Sequence, residues 1–159
     1  MKTSKKSARI LGIDPGTSLI GWGIIDSAVV DFGAFRTKPN IQNRDRVRDV
    51  FDFFSSLIKK YGPDVVVLEK LFFFKNAKTV MAVSEIRGVL MLAAACQGVE
   101  IREFTPLQVK QAISGYGRAD KNQMGRMVAM ILGLKTALKP DDVVDALALA
   151  ICCANTVQY

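Results

Sequence analysis

A short apolar segment that ends in a single acid is the feature that most constrains the fold of this chain. Residues 10–17 read I-L-G-I-D-P-G-T, and Ile10, Leu11 and Ile13 are typical of a buried strand. A Pro-Gly pair breaks the strand directly after Asp14. A carboxylate at the rim of a hydrophobic sheet is costly unless a cation neutralises it. The segment therefore predicts a buried strand whose last residue needs a cationic partner.

Composition and charge narrow the class of protein. The chain has 159 residues, which fits a single domain large enough to bury a core. It carries 22 Lys and Arg against 15 Asp and Glu, and the net charge of +7 favours a polyanion such as nucleic acid as partner. The surplus falls to +3 without Lys2, Lys5, Lys6 and Arg9. Part of it can therefore belong to a basic, flexible tail, which we expect at residues 1–7.

Histidine is absent from the sequence. Its absence excludes Ser-His-Asp and Cys-His nucleophiles, imidazole acid–base catalysis and most zinc sites. Cys96, Cys152 and Cys153 do not suggest a disulfide framework, and we expect them to be reduced core residues of a cytoplasmic protein. We expect neither a signal peptide nor a membrane-spanning segment. Any catalysis must therefore use carboxylates, lysines, hydroxyls, thiols or metals.

The order of apolar patterns predicts an α/β domain. Strands at 19–25 and 29–36 follow the first strand after short turns, which predicts an antiparallel meander. Apolar residues at helical spacing predict a helix at 43–60. The pattern then predicts a strand at 64–69, the end of a further strand at 102–104, and helices at about 76–97, 106–113, 121–132 and 141–154. The expected fold is a mixed five-stranded sheet, antiparallel and then parallel, flanked by helices.

Four carboxylates are expected to converge at one edge of this sheet. Asp14 and Glu69 each close an apolar strand, so they emerge together if those strands are neighbours. Asp142 and Asp145 are three residues apart and therefore share one face of the last helix. Oxygen donors without histidine suit a hard divalent ion, Mg²⁺ or Mn²⁺. Two such ions about 4 Å apart can activate a water and stabilise the leaving oxygen of a phosphodiester.

Each acid also has a purely structural interpretation. Asp14 before a Pro-Gly pair can be a turn former, and Glu69 alone can be a surface acid. Asp141 is a candidate helix N-cap, so the acids near it could partly serve capping and the helix dipole. Asp145 is harder to explain in this way, because it interrupts an apolar register that faces a sheet. The convergence of the four, rather than any one of them, favours a catalytic site.

Four sequence blocks, in order and in spacing, resemble the RuvC family of Holliday-junction resolvases over about residues 8–153. They are G-I-D-P-G-T at 12–17, V-L-E at 67–69, V-K-Q-A-I-S-G-Y-G at 109–117 with Lys121 following, and D-V-V-D-A-L-A-L-A-I at 142–151. The resemblance implies an RNase H-like fold and a homodimer that cuts two strands of a four-way DNA junction symmetrically with divalent metal. A branch-migration motor of the RuvA and RuvB type is a further expected partner.

The resemblance also implies roles for individual residues. The expected metal ligands are Asp14, Glu69, Asp142 and Asp145. Lys110 and Lys121 match basic positions near the scissile phosphate, where they would neutralise its rising charge. The alternative for these two lysines is a solvated helix face. The stretch 81–95 falls where the family places its dimer-forming helix, and its apolarity on most faces suits a helix buried on two sides.

Three consecutive phenylalanines stand out between the second buried strand and the long helix. They cannot all face inward from a loop or strand, so at least one should be exposed and able to stack on unpaired bases. Phe72 matches the family's aromatic at the unstacked junction centre. For Phe73 and Phe74, a role in the core or the dimer is an equal alternative. The predicted DNA contacts are Phe72, Lys70, Lys75, Lys110, Arg118 and Lys121.

Other functions remain open at this point. A nucleotide-binding module of the actin and sugar-kinase type has a similar phosphate loop, but it needs two such domains and the chain supplies one. A protein that binds junctions without cutting them is disfavoured by the presence of all four acids. An RNase H-like nuclease that processes ribosomal RNA precursors shares the first turn and the last helix. The block at 109–117 and the strand ending in Glu69 favour the resolvase.

Overall fold

One mixed sheet with helices on both faces forms the domain. The computed structural model describes residues 7–71 and 77–156. The strand order is β3-β2-β1-β4-β5, with β1–β2 and β2–β3 antiparallel and β1–β4 and β4–β5 parallel. This is the mixed sheet that the sequence predicted. The elements are β1 (Ile10–Asp14), β2 (Leu19–Ile25), β3 (Val29–Arg36), α1 (Asn43–Tyr61), β4 (Val65–Glu69), α2 (Ala77–Ala95), β5 (Glu100–Phe104), α3 (Pro106–Ser114), α4 (Lys121–Ile131) and α5 (Asp141–Thr156).

The alternation of strand side chains divides the core into two layers. Ile10, Val65 and Val67 belong to the layer that contains α3, α4 and α5. Leu11 and Val66, one position along each strand, belong to the layer that contains α1 and α2. Asp14 and Glu69 lie two or four residues beyond members of the first layer. The same alternation therefore directs both carboxylates to the α3–α5 face.

Glycines on β1 and β2 let α5 lie directly on the sheet. A Cβ at Gly12 would lie 2.0 Å from the carbonyl oxygen of Ala146, and a Cβ at Gly21 would lie 2.0 Å from that of Asp142. Gly21 pairs with Asp14 across the β1–β2 ladder. The close approach therefore brings the first turn of α5 next to the strand that ends in Asp14.

Two sequence-based expectations need correction. Cys96 is exposed just after α2, whereas Cys152 and Cys153 are buried as expected. Arg9 is not part of a solvated tail, because its guanidinium pairs with Asp26 at 3.2 Å and donates to the Tyr61 carbonyl at 2.8 Å. The expectation for β5 is confirmed, since residues 102–104 are the end of a strand that begins at Glu100. Within the described ranges, no helix is long and apolar enough to cross a membrane.

Candidate active site

Two of the predicted acids stand side by side at the ends of neighbouring strands. β1 and β4 pair in parallel, and Ile13 is the register partner of Leu68. One further step along both strands places Asp14 beside Glu69. Both residues are half-buried. The strand order thus satisfies the condition on which their predicted convergence depended.

The other two acids come from the first turns of α5. Asp142 and Asp145 are half-buried, whereas Val143, Val144 and Ala146 around them are buried. Asp141 is exposed and is the first residue of α5, where its carboxylate accepts a hydrogen bond from Lys139 Nζ at 3.0 Å. Asp141 is therefore hydrogen-bonded to Lys139 at the start of α5, whereas Asp142 and Asp145 are the acids of this helix that can contribute to the site.

Three of the carboxylates, Asp14, Glu69 and Asp145, have raised pKa values, in part because of the charges of neighbouring carboxylates. Burial, followed by the negative charges of Asp145, Glu69 and Asp142, raises the pKa of Asp14 to about 7. Burial and the charge of Asp145 raise the pKa of Glu69. Burial also raises the pKa of Asp145, with a contribution from Asp142. The folded chain therefore holds these acids where burial and like charges disfavour their ionised forms.

Two lysines face this cluster across a cleft. The cleft has a volume of about 390 Å³, and its lining includes Asp14, Glu69, Asp145, Lys110 and Lys121. Lys110 partly offsets the raised pKa of Glu69, and Lys121 does the same for Asp14 and Asp145. Lys110 projects from α3 and Lys121 is the first residue of α4. The cleft thus brings carboxylates from β1, β4 and α5 together with two lysines from α3 and α4.

The donor set fits a hard divalent ion that completes its shell with water or substrate. No side chain of residues 7–71 and 77–156 makes a hydrogen bond or ion pair with the carboxylate of any of the four acids. The same ranges contain no preformed group of three or more His, Cys, Asp or Glu side chains in a metal-holding arrangement. Mg²⁺ is commonly held by one or two carboxylates plus waters and substrate phosphates, so it needs no all-protein cage. The uncompensated oxygen donors are the observation that favours a cation here.

A wider groove opens from the same cleft. It has a volume of about 840 Å³ and shares Asp120, Lys121 and Asp145 with the cleft. Arg126 and Lys135 line it and make no ion pair within the described chain. The groove therefore extends positive charge away from the four acids along α4 and the segment before α5.

The predicted DNA contacts are only partly visible. Lys70 is exposed immediately after β4, and Arg118 is exposed between α3 and α4. The predictions for Phe72, Phe73, Phe74 and Lys75 lie outside the described residues. The DNA-binding role of these positions therefore stays a prediction.

Two parts of the site were missed at the sequence level. Asp120 lines the cleft and caps α4, accepting from the Gln123 N–H at 2.8 Å. The spacing of an aspartate and a glutamine three residues later is a capping-box signal that could have indicated this helix start. Arg87 donates to the backbone carbonyl of Glu69, a contact that no sequence pattern predicted.

Comparison with known proteins identifies the family. The family described as "Crossover junction endodeoxyribonuclease RuvC" matches residues 10–153. Proteins of that name from Caldicellulosiruptor saccharolyticus and Alkaliphilus metalliredigens are 48% and 47% identical; the matches cover 91% and 94% of this chain and 90% and 94% of theirs. The T. thermophilus RuvC structure in complex with a Holliday junction substrate has a TM-score of 0.87 at 30% identity, over 91% of this chain and 92% of that chain.

A more distant structure shows how widely the fold is shared. The yeast mitochondrial Holliday junction resolvase Ydc2 has a TM-score of 0.68 at 16% identity, over 94% of this chain and 78% of that chain. At that identity the likeness concerns the fold alone, and it agrees with the expected RNase H-like architecture. The match of the family over nearly the whole domain, with relatives close to half identical, is decisive. The chain belongs to the RuvC family of crossover junction endodeoxyribonucleases.

Proposed function

We propose that this protein resolves four-way DNA junctions by hydrolysing phosphodiester bonds at the cleft between β1, β4 and α5. The observation that carries the proposal is the cluster of Asp14, Glu69 and Asp145 opposite Lys110 and Lys121. Such a cluster suits a phosphate group and the cations that accompany it. The T. thermophilus relative, described in complex with a Holliday junction substrate, supports the branched substrate.

RuvC nucleases are generally dependent on divalent metal, and the four acids are the proposed ligands. Asp14 lies between Glu69 on the neighbouring strand and Asp142 and Asp145 on α5, so it is the proposed shared ligand. When bound, Mg²⁺ or Mn²⁺ supplies Lewis acidity and an activated water. The carboxylates orient that chemistry, because the strands and α5 that carry them are rigid, packed elements.

The two lysines have a separate role in the proposal. Lys110 is half-buried on α3, and Lys121 is exposed at the start of α4. From α3 and α4, their ammonium groups stabilise the charge that rises on the phosphate oxygens in the transition state. Lys70 and Arg118 are proposed to extend this surface to the junction arms, and the contacts by Phe72 and Lys75 stay predictions from the sequence.

Paired symmetric cuts require two sites, and α2 is the proposed dimer helix. Met81 is 68% exposed and Leu92 is 54% exposed on this helix. A second copy of the chain would cover them and place two clefts on one junction. A motor of the RuvA and RuvB type is the proposed partner that delivers the junction.

The substrate is tested by offering several nucleic acids to the same protein. A synthetic four-way junction, linear duplex and an RNA–DNA hybrid are incubated with the protein and Mg²⁺ or with chelator. We expect paired symmetric nicks in the junction alone, and no nicks after chelation. Equal cutting of the hybrid would contradict the proposal and support the RNA-processing alternative.

The metal ligands are tested separately from DNA binding. Asp14→Asn should retain junction binding but lose cleavage by at least about 1000-fold, because an amide is a poor metal ligand and carries no charge. Asp52→Asn on the exposed surface of α1 is the matched control and should cut normally. If Asp14→Asn cuts at the normal rate, Asp14 is a turn residue and the ligand assignment is wrong.

The dimer is tested by placing a charge on α2. Met81→Asp should shift the protein from dimer to monomer in sedimentation velocity and abolish paired nicking. Val30→Asp on β3 is the control, because Val30 is 39% exposed but lies on a strand rather than on α2. A wild-type protein that sediments as a monomer, or an unchanged dimer after Met81→Asp, would count against α2 as the interface.

A further inference from the structure

The backbone carbonyl of Glu69 lacks a partner in the sheet. Lys70 donates its N–H to the carbonyl of Phe104 on β5 at 2.8 Å. Because successive residues of a strand direct their backbone groups to opposite sides, the Glu69 carbonyl points toward β1 instead. Continuing the β1–β4 register beyond Ile13 and Leu68 brings Pro15 to that position. Proline has no N–H, so the ladder leaves the acceptor of Glu69 open.

Arg87 of α2 fills this position. Its Nε donates to the Glu69 carbonyl at 3.4 Å. The same guanidinium forms an ion pair with Glu103 of β5, and its Nη1 lies 3.3 Å from Sδ of Met91. The Arg87 side chain is only 15% exposed. A planar guanidinium fixed at several points presents its remaining donor in one direction, which a flexible ammonium cannot do.

The hydrogen bond from Arg87 to the Glu69 carbonyl affects the orientation of the Glu69 side chain in the cleft. The peptide between Glu69 and Lys70 is held on its β5 side by the Lys70 N–H, but on its β1 side the ladder offers the Glu69 carbonyl no donor. A rotation of that peptide would turn the side chain away from Asp14 and Asp145. The Arg87 contact therefore restrains the one strand-end carboxylate whose backbone the sheet does not fully hold.

We propose that Arg87 is a positioning residue for the reaction, which holds the end of β4 so that the Glu69 carboxylate stays directed into the cleft. The inference rests on the proposed function, since it assigns Glu69 to the metal site. Arg87 acts through Glu69, because its contact is with the backbone carbonyl of that residue. Because α2 is also the proposed dimer helix, the contact links that helix to the cleft.

The first test measures metal binding rather than activity. Mn²⁺ affinity is determined by calorimetry for the wild type, Arg87→Met and Arg87→Lys. Arg87→Met should bind Mn²⁺ about tenfold more weakly, at the lower end of what losing an outer partner of a metal ligand costs. Arg87→Lys keeps a positive charge for Glu103 but removes the Nε donor, so it should show the same loss with little change in melting temperature. Arg48→Met is the control, because Arg48 pairs with Asp45 on the surface of α1.

A double-variant comparison separates positioning from general destabilisation. In a Glu69→Gln background, Arg87→Lys should cause no further loss of Mn²⁺ affinity. On a four-way junction, Arg87→Lys alone should lower kcat and leave KM and the sedimentation of the protein unchanged. Wild-type Mn²⁺ affinity in Arg87→Lys, or an equal loss with and without Glu69, would overturn the inference. Failure of the wild type to cut junctions would contradict the proposed function and leave the affinity comparison to decide on Arg87.

Discussion

The raised pKa of Asp14 means that this residue destabilises the folded state when it is ionised. Burial and the charges of Asp145, Glu69 and Asp142 raise this pKa from 3.8 to about 7. A group whose pKa is higher in the folded than in the unfolded chain retains protons after folding, so raising the pH favours the unfolded state. A cation in the cleft would reverse this effect. Without a cation, Asp14 therefore lowers the stability of the folded chain at neutral pH.

This destabilisation predicts how the stability of the metal-free protein depends on pH. With chelator present, the free energy of unfolding should fall as the pH rises from about 4 to about 7 and then level off. Since each pKa unit corresponds to about 1.4 kcal/mol, the loss attributed to Asp14 is on the order of 4 kcal/mol. The raised pKa values of Glu69 and Asp145 act in the same direction. Denaturant unfolding at a series of pH values measures the slope.

Asp14→Asn is the control for this pH dependence. An asparagine does not titrate, so the variant should be more stable than the wild type at pH 8 and show a flatter profile. The lowered pKa values of Asp26 and Asp141 add stability as the pH rises toward about 4, outside the window in question. A metal-free wild type that is as stable at pH 8 as at pH 5 would show that ionisation of Asp14 does not destabilise the folded chain.

At the scale of elements, the packing of α5 against the sheet determines where Asp142 and Asp145 lie. Gly12 and Gly21 meet backbone carbonyls of α5, which cannot move aside as a flexible side chain can. Gly23 instead meets the side chain of Leu147. The helix axis is therefore fixed by backbone contact at two points, and Asp142 and Asp145 are positioned with it.

A methyl group at Gly21 should move α5 and with it the acids. Gly21→Ala places a Cβ 2.0 Å from the Asp142 carbonyl oxygen, so the start of the helix has to shift away from β2. We expect a loss of about 1–3 kcal/mol in unfolding free energy, as for other overpacked sites, and a fall in cleavage of at least about 100-fold. Thermal melts and single-turnover cleavage measure the two effects.

Gly125→Ala is the matched substitution, since it lies within α4 and a Cβ there meets nothing within 4 Å. It should stabilise the protein by about 0.5–1 kcal/mol, because alanine favours the helix. If Gly21→Ala leaves both stability and cleavage unchanged, α5 is not held by this contact.

The elements themselves were largely predictable from local patterns. The apolar runs ending at Asp14 and Glu69 and the helical stripe of α1 are strong periodic signals, and each element lies within two residues of its expected bounds in the described chain. β5 was only partly recognised, because it is an edge strand and its charged residues, Glu100, Arg102 and Glu103, hide the strand pattern. The exposure of Cys96 depends on where α2 packs, which the sequence does not encode locally.

The sequence predicted which acids belong to the candidate site, but it could not predict how they are arranged in space. Their convergence depends on β1 and β4 being neighbours, a non-local pairing that the sequence left conditional. The Arg87 contact depends on a missing proline N–H meeting a side chain from another helix, so no single segment carries a signal for it. Wall residues such as Asp120 become visible only once α4 is placed beside the cleft.

For the whole molecule, the distribution of charge matters more than the net charge of +7. Arg9 belongs to that surplus, yet it is paired with Asp26 and is not free to bind a polyanion. The groove lined by Arg126 and Lys135 leads away from the four acids and holds cations without ion-pair partners in the described chain. A DNA strand whose phosphate lies in the cleft would find its next phosphates opposite these side chains.

This arrangement predicts a measurable change in the salt dependence of binding. Arg126→Gln and Lys135→Gln are introduced into the Asp14→Asn protein, which should bind the junction without cutting it. Each should weaken binding several-fold at about 100 mM salt and reduce the slope of log affinity against log salt by about one, since one phosphate contact is lost. The change should be similar for junctions of different sequence, because phosphates carry no sequence information.

Lys59→Gln is the control for the salt experiment. Lys59 is an exposed lysine in the last turn of α1, the helix that leads into the start of β4, whereas the acids lie at the end of that strand. Its loss changes the net charge by the same amount but removes no cation from the groove. If Lys59→Gln lowers the slope as much as Lys135→Gln, general charge rather than the groove attracts the DNA. If none of the three changes the slope while the parent still binds, the strand leaves the cleft by another route.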